Sequence, residues 1–228
     1  TMYYFGNGVD IDYSKAMEWY LKAAELDDPE AHRRIGTMYY FGNGVDIDYS
    51  KAMDWYLKAA ELDDPEAHRR IGKLYEFGDG VDVDLDEALI WYKSAVKLGD
   101  INSNIAIIEL DYEKGNWTSA LEKINIFMQT KDFVNSSIYD RISTLELLGL
   151  LKSDLNDFES SAIAFESILS LIQKDKYTGE LTKFRAHTNL AIQQAKMNRF
   201  FESEKNLDKA MEYAQNGDNK YNWDIANT

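Results

Sequence analysis

Residues 1–36 read TMYYFGNGVDIDYSKAMEWYLKAAELDDPEAHRRIG, and residues 37–72 repeat them with one change, Asp54 standing where the first copy has Glu18. A looser third copy opens at Lys73 (KLYEFGDGVDVDLDEALIWYKSAVKLGD). A fixed period of 36 residues marks an array of supersecondary units. Such a unit cannot bury its apolar face alone, so neighbours stacked on it supply the core. Stacked repeats also create extended binding surfaces, which makes recognition of another molecule the first functional expectation.

The unit reads as two helices. The first runs from about Pro29 to Phe41, with proline at the start, where its missing N–H costs nothing, and Gly42 at the end. Gly42-Asn43-Gly44 breaks the chain direction, because glycine accepts the positive φ of a helix C-terminus. Asp48 is placed to cap a second helix that runs to about Leu62. On that helix Ala52, Trp55, Tyr56, Ala59 and Ala60 fall at i, i+3, i+4, i+7 and i+8, one face of an α-helix. Ala16, Trp19, Tyr20, Ala23 and Ala24 repeat the pattern, as do Ala88, Trp91, Tyr92, Ala95 and Val96. Small alanines let helices approach closely and the aromatic pair fills the remaining space. This reading puts the three tryptophans in the core.

Beyond Asp100 the spelling changes and the rhythm persists. Apolar pairs begin at Ile107, Leu148 and Leu190, each followed thirteen residues later by a small residue, Ala120, Ser161 or Ser203. Four and seven further on come Ile124 and Phe127, Phe165 and Ile168, Leu207 and Ala210. The last two units are longer, with extended helices expected from about Phe133 to Asp154 and from Glu180 to Asn198. After Gly217 the tail, residues 218–228, is polar, and reads equally as a frayed linker or as a segment anchored on the last helix by Tyr221 and Trp223. Thr1 opens in mid-repeat, so a native N-terminus further upstream is expected, and any targeting signal with it.

The residues Ile35-Gly36, Tyr39, Gly42-Asn43-Gly44-Val45, Asp48, Ala52, Trp55-Tyr56 and Ala59-Ala60 resemble the Sel1-like repeat, three times in register across residues 1–100. Residues 101–217 are similar to the related tetratricopeptide repeat, although Asp111, Lys152 and Gln194 sit where the first helix usually carries an aromatic. The resemblance implies an all-α, right-handed α-solenoid of stacked antiparallel helix pairs, about six in all. It implies a non-enzymatic adaptor or scaffold, with no cofactor, binding a protein or peptide in its concave groove. Repeats of about 42 residues also resemble bacterial peptide-sensing regulators. Sel1-like proteins further include immunity or inhibitor partners of secreted bacterial toxins. A bacterial cytoplasmic setting fits this reading, but with the native N-terminus expected upstream the sequence leaves the compartment open.

Composition narrows the partner. The net charge of −15 argues against nucleic-acid binding. Residues 1–100 hold 21 acidic and 11 basic side chains, leaving 19 and 14 for the rest, an imbalance that suits either a basic protein partner or, more commonly, an acidic solubilising surface. No apolar run has the length of a membrane span. The absence of cysteine excludes disulfides, thiolate metal sites and cysteine nucleophiles.

The residues that could carry chemistry have simpler readings. His32, His68 and His187 each stand three residues before an apolar pair, which makes them packing residues rather than metal ligands. Asp82, Asp84 and Asp86 begin like a calcium loop, but Glu87 and Lys93 occupy the places that need glycine and glutamate, so N-capping explains them. Gly6-Asn7-Gly8, Gly42-Asn43-Gly44 and Gly78-Asp79-Gly80 follow helices, whereas phosphate loops follow strands, so these are turns.

In the resembled class the first helix of each pair lines the groove. The face opposite the packing residues carries Arg33, Thr37, Tyr40 and Phe41, then Arg69, Lys73, Glu76 and Phe77, then Ile105, Glu109, Tyr112 and Glu113. Glu146, Leu150 and Ser153 follow, then Arg185, Thr188, Ile192 and Lys196. Arginine and tyrosine combine large contact area with directed hydrogen bonds, which suits them as anchors. The competing reading is that Arg33 and Arg69 only pair with Glu30 and Glu66 three residues earlier.

Overall fold

A computed structural model describes residues 2–6, 8, 10–175 and 179–216; Tyr221 and Trp223 lie outside them. The described residues form helices with no strand. The chain divides into two compact units, residues 1–110 and 111–228.

In the first unit α1 (Met2–Phe5) and α2 (Tyr13–Ala24) precede two complete pairs. These are α3 (Pro29–Phe41) with α4 (Tyr49–Glu61), and α5 (Pro65–Phe77) with α6 (Leu85–Lys97). α7 (Asn102–Glu113) leads out of the unit. Capping fixes these boundaries as the spacing predicts. The Asp48 carboxylate accepts from the Lys51 N–H at 2.9 Å, and Asp84 accepts from Glu87 at 2.9 Å, so the aspartate run is a cap. Gly42 and Gly78 close α3 and α5 in the left-handed region, at φ 71° and 74°.

The core of this unit is a repeated layer. Ala16, Ala52 and Ala88 are fully buried, and Tyr20, Tyr56 and Tyr92 are buried beside them. A Cβ built on Gly36 would stand 2.7 Å from the Tyr56 ring, and one on Gly72 2.6 Å from Tyr92. The first helix therefore carries glycine so that the ring of the second can lie flat against its backbone. The tryptophans do not share that depth, contrary to the periodicity. Trp55 and Trp91 are half-buried, lying on His32 and His68 with ring centroids 5.5 and 5.2 Å apart. Trp19 of the first copy is 53% exposed.

The second unit holds α8 (Trp117–Met128), α9 (Lys131–Asn135), α10 (Ile138–Asp154), α11 (Phe158–Asp175), α12 (Glu180–Lys196) and α13 (Phe200–Asn216). The extended helix expected from Phe133 is two. Ser136 and Ser137 are in extended backbone, and Ser137 forms a capping box with Asp140 that restarts the chain as α10. Phe165, Ile168, Leu190 and Ala210 are buried at their expected register. The small residues at Ser161 and Ser203 pin each pair. Their hydroxyls donate to the carbonyls of Gly149 at 2.6 Å and Ala191 at 2.9 Å.

The missing first-helix aromatic is replaced by polar links. Asp111 accepts from Ser119 at 2.7 Å and from Lys123, Lys152 donates to Asp157 at 2.9 Å, and Gln194 accepts from Asn206 at 2.9 Å. Tyr39 and Tyr75 occupy the same register in the first unit.

Candidate protein-binding face

The first helices of successive repeats are joined by side chains that the sequence assigns to a groove. Arg33 is buried on α3, its Nε donating to the Asp64 carboxylate at 3.1 Å and a terminal nitrogen lying 3.1 Å from Glu66. Asp64 is the N-cap of α5 and accepts from the Ala67 N–H at 2.7 Å with its other oxygen. Glu66 is a node, with Arg69 and Arg70 also at 3.3 and 2.9 Å. Burial works against its charge, but the Arg70 hydrogen bond and the three guanidinium groups hold its carboxyl below the usual range. Arg69 continues the chain of pairs to Asp100 at 3.2 Å. The pair between Arg33 and Glu30, expected from the three-residue spacing, is the longest contact of the set at 3.9 Å.

Other predicted residues are similarly engaged. The Tyr40 hydroxyl donates to Asp79 of the following turn at 2.7 Å, and burial together with that bond raises its pKa well above the ordinary phenol value. Thr37 is buried, accepting from Tyr56 at 3.3 Å, and Ile105 is buried too. Glu76 accepts from Tyr92. Lys73 is half-buried, and burial, then Arg69 and Arg70, lower its pKa.

In the second unit Tyr112 donates to Asp154 at 2.7 Å, a bond that with burial pushes its phenol up to about 12. Glu146 lies 3.6 Å from Arg185, and burial raises its pKa. Lys196 donates to Ser153 at 2.9 Å, and the Thr188 hydroxyl turns back to the Phe184 carbonyl at 2.8 Å. Of the predicted set, Phe41, Phe77, Glu109, Glu113, Leu150, Arg185, Ile192 and Lys196 are exposed.

Phe41 and Phe77, expected on the groove face, continue into the turns as a series that helical periodicity did not assemble. Phe5, Phe41 and Phe77 end their helices more than half exposed, and Ile11, Ile47 and Val83 in the following turns are equally open. A Cβ on Gly42 would meet the Ile47 side chain at 2.8 Å, and one on Gly78 would meet Val83 at 2.8 Å, so each loop residue folds back over the helix end. Asp10, Asp46 and Asp82, all exposed, immediately precede those loop residues. The signal in the sequence was the repeat itself, which carries an apolar residue at a helix end and another in the following turn where burial does not require one. Among the described residues no cluster of His, Cys, Asp or Glu is arranged to hold a metal, and no helix is long and apolar enough to cross a membrane.

Stacked helix pairs tied by polar links between repeats define an α-solenoid of the kind that generally serves protein–protein interaction. The chain belongs to the Sel1 repeat family, whose profile matches residues 1–28, 29–64, 65–100 and 185–216. Repeats of this family are typically non-catalytic scaffolds. The last match falls on α12 and α13, in the stretch whose spelling is closer to tetratricopeptide units.

No curated protein sequence matches the chain. The chain is similar in structure to a Sel1 repeat protein from Oxalobacter formigenes, with 27% identity over 92% of this chain and 84% of that one and a TM-score of 0.66. It also resembles c5321, a protective antigen of uropathogenic Escherichia coli strains with an SLR fold, at 24% identity and TM-score 0.66. That match covers 92% of this chain but 44% of c5321. YrrB, a TPR protein with an unusual peptide-binding site, shares the fold at 16% identity and TM-score 0.56, over 85% of this chain and 91% of its own.

Proposed function

We propose that this chain is a non-enzymatic adaptor that holds a basic protein or peptide segment against the first-helix face of its Sel1 repeats. The observation that carries the reading is the exposed series Phe5, Phe41 and Phe77 with Ile11, Ile47 and Val83, recurring at one register in three repeats. Exposed apolar groups at a fixed spacing offer seats for successive apolar side chains, and solvent alone gives no reason to keep them. Asp10, Asp46 and Asp82 beside them favour lysine or arginine on the partner. Arg33 and Arg69 then hold the frame, while Phe41, Phe77 and the half-buried Lys73 make contact. In the second unit, Glu113, Arg185, Thr188 and Lys196 remain the contact candidates.

The test is affinity capture followed by direct titration of the purified captured protein. A Phe41→Ser/Phe77→Ser variant is expected to bind at least tenfold more weakly with an unchanged unfolding midpoint. Undiminished binding by that variant would overturn the assignment of the face, and turnover of a substrate by the purified chain would overturn the adaptor reading.

A further inference from the structure

The second unit contains a cavity of about 490 Å³ between three successive helices. Leu169 and Ile172 of α11 contribute to it, with Lys183 and His187 of α12 and Lys209 and Tyr213 of α13. The chain has 40 acidic and 25 basic residues, yet the lining, completed by the neutral Gln173, includes no carboxylate among the described residues. Size and mixed lining suit a small organic molecule.

Hydrogen bonding fixes the histidine. The Asn206 amide nitrogen donates to the Glu202 backbone carbonyl at 3.1 Å and to Gln194 at 2.9 Å, so its oxygen is the atom 2.8 Å from His187 Nδ1. That oxygen only accepts, so Nδ1 carries the proton, and in the neutral ring Nε2 keeps its lone pair. The ring is buried and stacked on Tyr213, with centroids 5.6 Å apart at 17°. The charged and titratable groups facing it are Lys183 on its own helix and Lys209 and Tyr213 on α13; α11 offers none among the described lining. Lys183 is shared with Glu180 at 3.0 Å, whereas Lys209 has no carboxylate partner among the described residues. One uncommitted ammonium beside one half-neutralised one, over an apolar floor, matches a single negative charge on an apolar body better than a dianion.

We infer that this cavity is a binding site for a small organic monoanion, a carboxylate on an aromatic body. The carboxylate sits between Lys209 and Lys183, whose ammonium lies 5.1 Å from the Tyr213 ring centroid, and the body rests on Leu169 and Ile172. The site is independent of the protein-binding face, since Arg185, Thr188 and Lys196 do not line it. Burial holds the His187 pKa below its ordinary value, the Asn206 bond opposes this, and Lys209 adds to the lowering. An anion in the cavity therefore favours the imidazolium, whose Nε2–H becomes a third donor.

The experiment follows the imidazole resonances of the full chain through a pH titration at constant ionic strength. The probes are benzoate, benzamide, acetate and inorganic phosphate. His32 and His68 serve as internal controls. Benzoate is expected to raise the His187 pKa by about one unit, saturably, without moving the other two. Benzamide and acetate should leave it unchanged, and Lys209→Glu, a change at an exposed residue, should abolish the benzoate response. A benzoate response no larger at His187 than at His32 and His68, or one that survives Lys209→Glu, overturns the site. Phosphate matching benzoate overturns the assignment of a monoanion with an apolar body.

Discussion

Arg33 reaches from α3 into the next repeat and donates from Nε to Asp64 at 3.1 Å, both side chains being about nine-tenths buried. The residue that looks like a groove anchor in sequence is thus a tie between repeats. Its partner carboxylate also caps α5, so one acid secures a helix start and an inter-repeat contact.

Removing Arg33 leaves Asp64 buried without its countercharge. Arg33→Ala is expected to cost about 3 kcal/mol, and pairing Arg33→Met with Asp64→Asn should cost clearly less than the two single changes summed. Urea unfolding of the four species of that cycle measures the coupling.

Gly36 and Gly72 are helical, where alanine is intrinsically favoured by about 1 kcal/mol. Here the added methyl meets the tyrosine ring at 2.7 and 2.6 Å, so Gly36→Ala or Gly72→Ala should instead destabilise by about 1–3 kcal/mol. Thermal unfolding of Gly36→Ala with and without Tyr56→Leu separates the clash from any backbone effect, because the smaller side chain should restore part of the loss.

Asn156 and Asn198 hold the turns of the last two pairs at φ 60° and 59°. Asparagine tolerates this region and glycine occupies it freely, whereas alanine does not. Asn198→Gly should be neutral or stabilising by up to about 1 kcal/mol, and Asn198→Ala destabilising by about 1 kcal/mol. Denaturant midpoints of the two variants give the order.

Acid sensitivity should begin with the histidines. Burial, then Lys58, lowers the pKa of His32 from 6.5, and burial lowers that of His187. A base with a depressed folded pKa binds fewer protons folded than unfolded, so its contribution is complete above about pH 6.5 and is lost as pH falls below it. The lowered carboxylates Asp12, Asp48, Asp111 and Asp157 lose theirs only on falling below their ordinary 3.8. Glu146 runs the other way: burial raises its pKa, so its contribution shrinks as pH rises through 4.5. Unfolding midpoints should therefore drop between pH 7.5 and 5.5. His32→Phe, which keeps the stack on Trp55 and removes a buried Nδ1 without a partner, should flatten the fall.

The sequence by itself determined the architecture, because caps, glycine stops and the spacing of Ala52, Tyr56 and Ala59 are local properties that each repeat restates. It also located the histidines as packing residues, since register along one helix decides which side they occupy. Only the tertiary structure decided which first-helix side chains are free. Arg33 meets Asp64 and Tyr40 meets Asp79 across 31 and 39 residues, and such meetings depend on how one repeat stacks on the next. The same stacking left Trp55 and Trp91 half-open on their histidines and Phe41 and Phe77 in solvent. Helical periodicity defines one face of one helix, whereas burial is a property of the surfaces that two repeats present to each other.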